Sequence, residues 1–385
     1  MARITSVKNL RNKLLLLGFS GALAIGVGEI AVRLLGFKPI YATYSKSEQF
    51  WRRDDLLGWG HEPHAEGTFV GPRPFPVEFR SKVRINSLGL RGPEIAPLPP
   101  HGVRVLALGD SQVAGFEVEE DQTFIHLLEQ SLSRSDRPVQ VINAGIRGYG
   151  TDQEYLLFKE RLSSLGARVV FLIYSGNDLE DNTTLHRARR PFGKAAFSIS
   201  PEGELVKVGY PIPDYPFCSG YRLDDQLHIV RIDGVRSRTF CWTESNLSDH
   251  SALMTLVAMR IRQNPDLLHR VFSLSTPDQQ ATVNDGSAFR LTTLLLRKLA
   301  LEIRASGASL FIFASHAELD PFEPALKDID DVRLLYREDM GLRTVSDAAP
   351  YCFRNDSHFN VAGHRLLADF LTPIVDASLA HGPSP

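Results

Sequence analysis

The chain has 385 residues, with 43 lysines and arginines against 45 aspartates and glutamates. That length allows two or three domains, or one domain with insertions. A hydrophobic share of 43% and a charged share of 23% are ordinary for a globular protein and exclude wholesale disorder. A net charge of -2 gives no basic field, so nucleic acid is not indicated as a partner. Three cysteines without a C-x-x-C pair argue against a structural metal site and a disulfide-built scaffold.

The amino end combines a basic leader with an apolar stretch. Residues 14–28 carry no charge, and apolar character continues to Leu35. As a helix, residues 14–35 would extend about 33 Å, enough to cross a bilayer. The residues before the stretch are basic: Arg3, Lys8, Arg11 and Lys13. The positive-inside rule then predicts a single-pass anchor with a cytoplasmic amino end and an extracytoplasmic remainder, either periplasmic or extracellular.

Two alternatives to an anchor remain open. The step Ala22-Leu23-Ala24 could be a signal-peptidase site, in which case the protein is secreted after cleavage. The stretch could also be a buried core helix, although that would leave the basic leader unexplained. Both the anchor and the signal place the rest of the chain in an oxidising compartment. Cys218 and Cys241 could then form a disulfide and leave Cys352 free, or all three thiols could stay unpaired.

Sequence texture divides the remainder of the chain. Residues 1–37 form the leader and anchor. Residues 38–100 are rich in proline, glycine and aromatic residues, and they predict an irregular lead-in segment with short strands. Residues 101–385 form the main domain, which is interrupted at about 186–248 by an insertion without long periodicity that could border a cleft.

Within the main domain, strand patterns alternate with helix patterns. Four short apolar runs predict buried strands: RVLALG from 104, VQVINAG from 139, RVVFLIY from 168 and ASLFIFAS over 308–315. Helical spacing predicts helices after the first and second strands, over 251–262 and 289–305, and at the carboxyl end, with Asp121 as a candidate cap of the first. This alternation predicts an α/β protein with a parallel sheet between helix layers.

Polar or glycine-rich clusters follow the first three strands, and another lies near the carboxyl end. In an open parallel sheet ligands bind at the carboxyl ends of strands, so the first three clusters should meet at one crevice. The clusters are Gly109-Asp110-Ser111, Asn143-Ala144-Gly145-Ile146-Arg147-Gly148, Ser175-Gly176-Asn177-Asp178 and Asn355-Asp356-Ser357-His358-Phe359-Asn360.

These clusters contain the groups needed for nucleophilic catalysis by serine. Ser111 needs a base, and His358 is the best candidate, with Asp356 placed to orient the imidazole. A tetrahedral intermediate needs hydrogen-bond donors for its oxyanion. The backbone N–H groups of Ser111 and Gly148 and the side-chain amide of Asn177 are available for that purpose.

The four clusters, in this order, resemble the blocks of the SGNH (GDSL-type) hydrolase family over about residues 104–375. The resemblance implies a three-layer α/β/α flavodoxin-like fold, acyl-ester hydrolysis or acyl transfer, and no cofactor. It makes Ser111 the nucleophile, His358 the base, and Gly148 and Asn177 oxyanion donors beside the N–H of Ser111. With the anchor, the run Asn86-Ser87-Leu88-Gly89-Leu90-Arg91-Gly92 also resembles membrane-anchored bacterial members.

One position departs from the commonest family pattern, in which an aspartate lies three residues before the histidine. Here that position is Asn355, and Asp356 lies two residues before His358, as in relatives of the alginate-acetylation type. We favour Asp356 as the triad acid because a carboxylate stabilises imidazolium far better than an amide does. If Asn355 faces the ring instead, the enzyme would be slow or would use another acid.

The sequence therefore predicts an extracytoplasmic serine ester hydrolase that forms an acyl-serine intermediate. One alternative is an O-acetyltransferase that acts on an exported polysaccharide or cell-wall glycan. Another is an inactive binding or scaffold protein at the membrane surface. The size of the pocket depends on the insertion at 186–248, whose structure the sequence does not predict. The ester substrate could therefore be a small molecule, a lipid or an acylated glycan.

Overall fold

The computed structural model describes residues 2–37, 50–71, 76–185, 193–212, 221–231, 247, 250–262 and 285–381. The chain forms two compact units. The smaller comprises Met1–Ser45, Gly71–Glu78 and Thr239–Thr276, and the larger comprises the rest. Cys218 and Cys241 lie outside the described residues, as does much of the insertion, so the choice between a disulfide and free thiols stays open. Cys352 is a free, half-buried thiol.

A five-stranded parallel sheet is the centre of the larger unit. Its strands in chain order are β1 (Val103–Gly109), β2 (Val139–Gly145), β3 (Ala167–Ile173), β4 (Ser309–Ala314) and β5 (Val332–Tyr336). Their order across the sheet is β5-β4-β3-β1-β2, with every neighbouring pair parallel. The sequence predicted the first four strands, and β5 was missed. This order places a topological switch point between β1 and β3, where ligands bind in such sheets.

Helices cover both faces of the sheet. Alternate residues of a strand point to opposite faces, so Leu106 and Leu108 of β1 belong to one buried cluster and Val105 and Ala107 to the other. The first cluster includes residues of the helices Thr151–Leu157 and Asp285–Ala305, and the second those of Phe124–Leu132 and Val361–His381. The predicted three-layer α/β/α arrangement is therefore confirmed.

Shorter elements surround this framework. Further helices are Ser111–Ala114, Asp178–Asp181, His316–Leu319, Glu323–Leu326 and Val345–Ala348, and a π-helical turn, Phe158–Leu162, continues the helix Thr151–Leu157. The remaining strands form four two-stranded sheets: Trp51–Asp54 with Gly58–His61, Glu66–Gly71 with Phe79–Arg84, Ala196–Ile199 with Leu205–Val208, and Tyr221–Leu223 with Ile229–Arg231. The lead-in thus contains short strands, as predicted, and the described part of the insertion contains two hairpins.

The cap of the helix Phe124–Leu132 differs from the prediction. The Oγ1 of Thr123 accepts a hydrogen bond from the N–H of His126 at 3.3 Å, which is the usual N-cap contact. Asp121 lies instead inside the preceding 3-10 turn, Glu120–Gln122. The helix begins after that turn, so the prediction that Asp121 caps it was wrong.

The smaller unit contains a 33-residue helix, Ala2–Leu34, and the helix Ala252–Arg262. Residues 12–34 are long and apolar enough to cross a membrane, with a mean hydropathy of 1.9, and among the described residues they are not buried. Such a helix fits an anchor or a signal sequence and does not fit a buried core helix. The Glu29 carboxylate caps the second helix, because it accepts from Ser251 Oγ at 2.7 Å and from the N–H groups of Ala252 and Leu253 at 2.9 Å.

Candidate active site

Ser111 lies immediately beyond the carboxyl end of β1, where it begins the short helix Ser111–Ala114. Asp110 caps that helix, since its Oδ1 accepts from the N–H of Gln112 at 2.8 Å. The Oγ of Ser111 donates to Oδ2 of Asp110 at 3.5 Å, which is long for a hydroxyl donor. The hydroxyl is half-buried and is not locked into a strong hydrogen bond.

The helix Ser111–Ala114 packs closely against β2. A Cβ atom on Gly145 would lie 2.3 Å from the backbone nitrogen of Ala114 and 2.6 Å from Cβ of Val113. Only glycine allows this approach, so Gly145 has a structural role in the block. The Nδ2 of Asn143 adds a hydrogen bond to the carbonyl of Val113 at 3.0 Å.

Arg91 fixes the turn that follows this helix, a role that the sequence did not predict. Its guanidinium donates to the carbonyls of Ala114 at 2.9 Å and Val118 at 2.7 Å, and also to that of Gly115. The residue is 3% exposed. Burial lowers the pKa of Arg91 to about 10, so it is still positive at neutral pH. Its place in the run Asn86–Gly92 was the only signal, and that run was interpreted only as a family resemblance.

His358 and Asp356 form the expected hydrogen-bonded pair. Nδ1 of His358 is bonded to Oδ1 of Asp356, and the same oxygen accepts from the N–H of His358 at 3.0 Å. Asp356 therefore contacts the ring, as favoured over Asn355. Burial raises the pKa of the Asp356 carboxyl, but the hydrogen bond and charge of His358 outweigh burial, so that pKa is lowered overall.

A second carboxylate, which the sequence analysis did not single out, lies beside the same imidazole. Oε1 of Glu117 is 3.8 Å from Nδ1 of His358 and forms an ion pair with the guanidinium of Arg147. Burial by itself would lower the pKa of His358. The negative charge of Glu117 and the hydrogen bond to Asp356 act more strongly in the opposite sense, so the pKa of His358 is raised above its usual value.

The loop of His358 adjoins the turn of Ser111. Nε2 of Gln112 donates to the carbonyl of Ser357 at 3.4 Å, so the residues next to the two predicted catalytic groups are in contact. Within the described part of the chain, no hydrogen bond joins Ser111 to His358. Catalytic hydrogen bonds are often long in a ligand-free site and shorten when substrate binds.

The three predicted oxyanion donors follow β1, β2 and β3. Gly148 has a φ of +81°, a left-handed conformation that favours glycine. Among the described residues, no acceptor is bonded to the N–H of Ser111 or of Gly148. The Nδ2 of Asn177 donates to Oδ2 of Asp181 at 2.6 Å, which uses one of its two amide hydrogens. Each of the three groups thus retains a donor hydrogen.

The lead-in segment supports the loop that carries Gly148. The Tyr149 hydroxyl donates to the carbonyl of Trp59 at 2.6 Å, and Nε1 of Trp59 donates to the carbonyl of Arg147 at 3.3 Å. The rings of Trp59 and Tyr149 are in edge contact, with centroids 5.9 Å apart. These two fully buried aromatics are packing groups.

The helix Thr151–Leu157 and the start of the helix Asp178–Asp181 carry a buried acidic cluster that the sequence did not predict. Asp152 is paired with Lys194 at 2.8 Å, while both carboxylate oxygens of Glu154 lack a hydrogen-bond partner among the described residues. Burial, with the charges of Asp110 and Asp152 added, raises the pKa of Glu154 well above its ordinary value. For Asp178, burial and the charge of Glu154 do the same. The helix begins with four polar residues, Thr-Asp-Gln-Glu, a pattern typical of a solvent-exposed helix start. The sequence therefore does not indicate that these side chains are buried.

Comparison with known proteins agrees with this geometry. Residues 107–366 match the model of the GDSL-like lipase/acylhydrolase family, which is more than half of the chain. The chain belongs to this family. It is therefore assigned as a GDSL-type ester hydrolase, as the sequence resemblance predicted. No curated protein sequence matches it.

The solved structures that are similar to this GDSL-family chain are distant from it. The crystal structure of TesA is 13% identical, with 71% of this chain and 97% of TesA covered and a TM-score of 0.37. The esterase EstA from Pseudoalteromonas sp. is 12% identical, with 72% and 99% covered and a TM-score of 0.38. Axe2, an acetylxylan esterase from Geobacillus stearothermophilus, is 14% identical, with 71% and 95% covered and a TM-score of 0.36.

Proposed function

We propose that this GDSL-family protein is a serine ester hydrolase in which Ser111 is the nucleophile, His358 the base and Asp356 the triad acid. The observation that supports it best is the hydrogen bond from Nδ1 of His358 to Asp356 in a loop that contacts the turn of Ser111. That bond fixes the tautomer that leaves Nε2 free to accept a proton.

In the first half of the reaction, Oγ of Ser111 attacks the ester carbonyl carbon while Nε2 of His358 takes the hydroxyl proton. The carbonyl oxygen becomes an oxyanion that accepts from the N–H groups of Ser111 and Gly148 and from the amide of Asn177. His358 then gives the proton to the leaving alcohol oxygen as the carbon–oxygen bond breaks. The product is an acyl-serine and a free alcohol.

In the second half, water attacks the acyl-serine and His358 accepts a proton from it. A second tetrahedral oxyanion forms and accepts hydrogen bonds from the same donors. It collapses as His358 returns the proton to Oγ of Ser111. The carboxylic acid leaves, and the enzyme regains its starting state.

The experiment is hydrolysis of p-nitrophenyl acetate by the full-length protein and by Ser111→Ala and His358→Ala. Loss of either member of such a triad removes most of the catalysis, so we expect a fall in kcat of at least about 10³-fold. Ser357→Ala, in the same loop, is the matched control and should retain activity. Unchanged turnover by Ser111→Ala would end the proposal.

The assignment of the triad acid has its own comparison. Asp356→Asn removes the carboxylate from Nδ1 of His358, whereas Asn355→Ala leaves that bond in place. We expect the larger loss of kcat for Asp356→Asn. A larger loss for Asn355→Ala would transfer the orienting role to the amide.

A second candidate is transfer of the acyl group to a sugar hydroxyl in place of water. The observation that favours it is the contact of Asp356 with His358 at a spacing of two, which resembles relatives of the alginate-acetylation type. The acyl-serine would be the same, and only the acceptor would differ. Incubation with an acetyl donor and a polysaccharide acceptor separates the two, because a hydrolase releases free acetate and leaves the glycan unmodified.

We further infer that the apolar amino-terminal helix is a retained anchor and that the hydrolase unit is extracytoplasmic. The basic leader supports this orientation. The cap that Glu29 forms on the helix Ala252–Arg262 ties the outer part of the first helix to later folded chain. The test is the mass of the amino-terminal peptide from carbonate-washed membranes. An intact leader in the membrane supports the anchor, and a soluble protein that begins at Ile25 would show cleavage instead.

A further inference from the structure

Glu117 lies between the turn of Ser111 and the loop of His358, and its side chain is only 1% exposed. Its Oε1 pairs with Arg147, while Oε2 has no hydrogen-bond partner among the described residues. A buried carboxylate oxygen without a partner is costly, so a merely structural pair would be expected to satisfy both oxygens. The placement of this charge beside the predicted base therefore suggests that it acts on that base.

Two carboxylates face a single nitrogen of the predicted base. Asp356 accepts the hydrogen of Nδ1, and Oε1 of Glu117 is 3.8 Å from the same atom. When His358 takes the proton from Ser111, the ring becomes an imidazolium cation. A full negative charge at about 4 Å in a partly buried site stabilises that cation substantially. Glu117 has the charge and the distance to add to the effect of Asp356.

Arg147 acts against this stabilisation. Its guanidinium holds Glu117 and lies over the ring of Phe69 at 4.9 Å, so it stays close to the pair. The positive charge of Arg147 partly cancels the negative charge of Glu117, so Glu117 stabilises the imidazolium less than an unpaired carboxylate would. Because Arg147 directly precedes Gly148, the same residue joins the oxyanion loop to the surroundings of the base.

The other titratable groups around the ring come from three further elements. Arg91 of the lead-in is positive and interacts with the charge of Glu117. Asp110 precedes Ser111 and is bonded within its own turn. His364, on the last helix, accepts from the N–H of Phe124 at 3.2 Å, and burial lowers its pKa to about 3, so it is neutral. Among the described residues, the carboxylates within 4 Å of Nδ1 of His358 are those of Glu117 and Asp356.

We propose that Glu117 is a positioning residue of this site, a second carboxylate that stabilises the His358 imidazolium, and that Arg147 limits its effect by ion pairing. The inference depends on the serine-hydrolase function proposed above. The proposal adds one charged pair, Glu117 with Arg147, to the predicted catalytic residues. The two members of this pair come from two other loops.

The first test is the pH dependence of kcat/KM, whose acidic limb reports the protonation of the base in the free enzyme. Glu117→Gln should move that limb to lower pH by about one unit, because the proton affinity of His358 would fall about tenfold. Arg147→Gln should move it to higher pH. Glu120→Gln, which removes an exposed pair with Arg84, is the matched control and should leave it in place.

Opposite shifts identify an electrostatic role, because general loosening of the loop would lower the rate without moving the limb in two directions. An unmoved limb in Glu117→Gln, or shifts of the same sign in both variants, would overturn the proposal. If Arg147→Gln does not fold, Glu117→Gln and its control still decide the sign.

The second test is a double-mutant cycle with Asp356→Asn. When Asp356 has lost its charge, Glu117 is the remaining carboxylate at Nδ1, so its removal should cost more than in the wild type. We expect Glu117→Gln to lower kcat at least about three times further in the Asp356→Asn background, since coupled neighbours are non-additive. Losses that simply multiply would contradict the inference.

The third test does not require turnover. In full-length Ser111→Ala protein labelled at histidine nitrogens, the His358 resonance is assigned by its loss in a His358→Gln variant and titrated. Adding Glu117→Gln should lower the titration midpoint. If that shift occurs but the wild type shows no Ser111-dependent ester hydrolysis, the hydrolase proposal alone is wrong. If hydrolysis occurs and the midpoint does not move, this inference alone is wrong.

Discussion

The side chain of Gln112 donates a hydrogen bond to the carbonyl of Ser357 across 245 positions of sequence, at 3.4 Å. Gln112 follows the predicted nucleophile and Ser357 precedes the predicted base. The contact therefore joins the turn and the loop that carry the two predicted catalytic groups. In the proposed reaction, proton transfer depends on the distance between these two groups.

Gln112→Leu should lower kcat about threefold to tenfold with little change in KM, because one hydrogen bond of about 1 kcal/mol positions the loop and does not hold substrate. Steady-state kinetics with p-nitrophenyl acetate measure both constants. Gln130→Leu changes an exposed glutamine whose contact is with His126 of its own helix, and it is the control. An unchanged kcat in Gln112→Leu would show that the contact does not restrain the loop.

Arg91 should matter for folding far more than a surface arginine. Arg91→Met leaves the carbonyls of Ala114, Gly115 and Val118 without their donor inside the protein. Each unsatisfied buried acceptor costs about 1–3 kcal/mol, so we expect the free energy of unfolding to fall by about 3 kcal/mol or more.

Chemical unfolding of the purified protein measures this loss. Arg84→Met is the matched control, because Arg84 forms an exposed ion pair with Glu120 at 3.2 Å. Such a pair contributes at most about 1 kcal/mol. Equal losses in the two variants would mean that Arg91 does not stabilise the turn.

Gly145 tests the close packing of β2 on the helix Ser111–Ala114. Gly145→Ala places a methyl group 2.3 Å from the nitrogen of Ala114, so either the helix Ser111–Ala114 or β2 must move. We expect a loss of about 1–3 kcal/mol in stability, as for other overpacked sites, together with a lower kcat because Ser111 moves with its helix. Thermal unfolding and esterase assays measure the two effects.

The control for that variant is Gly307→Ala, where no atom lies within 4 Å of the added Cβ but φ is +79°. It should cost about 1 kcal/mol from the backbone alone and leave kcat unchanged. A Gly145→Ala protein with wild-type kcat would show that the packing does not position Ser111.

Much of the sheet was predictable because β1 to β4 are almost entirely buried, so their sequences are apolar on both faces. β1, β2 and β3 have apolar runs bounded by glycine or polar residues, and the helices around them have clear spacing. β5 was missed because, unlike the buried edge strand β2, it is only half-buried, with Arg333 inside it and Asp330 and Asp331 before it. Its strand character comes from pairing with β4, a long-range contact that local pattern does not contain.

The site divides in the same way. Ser111, Asp356 and His358 belong to short motifs that indicate their chemistry from sequence alone. In the structure, Asp356 is hydrogen-bonded to the ring of His358. Glu117 and Arg91 were not found because a charged residue in a loop is normally solvated. Only the fold shows that Oε1 of Glu117, six residues after Ser111, lies 3.8 Å from Nδ1 of His358, or that Arg91 in the lead-in bonds the turn after the helix Ser111–Ala114.

The buried acidic cluster makes a further prediction about stability and pH. Burial raises the pKa of Glu154 and of Asp178, and that of Asp152 to about 6. The folded protein therefore holds protons at pH values where the unfolded chain has lost them. Stability should fall as pH rises from the unfolded carboxyl pKa, near 4.5 for glutamate, through the higher folded pKa.

Glu154→Gln removes the group that must ionise at a cost, so the variant should lose part of this dependence. Its Tm should exceed that of the wild type by a few degrees at about pH 8 and approach it, or fall below it, at about pH 5. Thermal unfolding across that range measures the difference. Glu160→Gln, on an exposed position of the same helical segment, should leave the curve of Tm against pH unchanged. A Tm difference that is constant with pH would show that Glu154 is not protonated in the folded state.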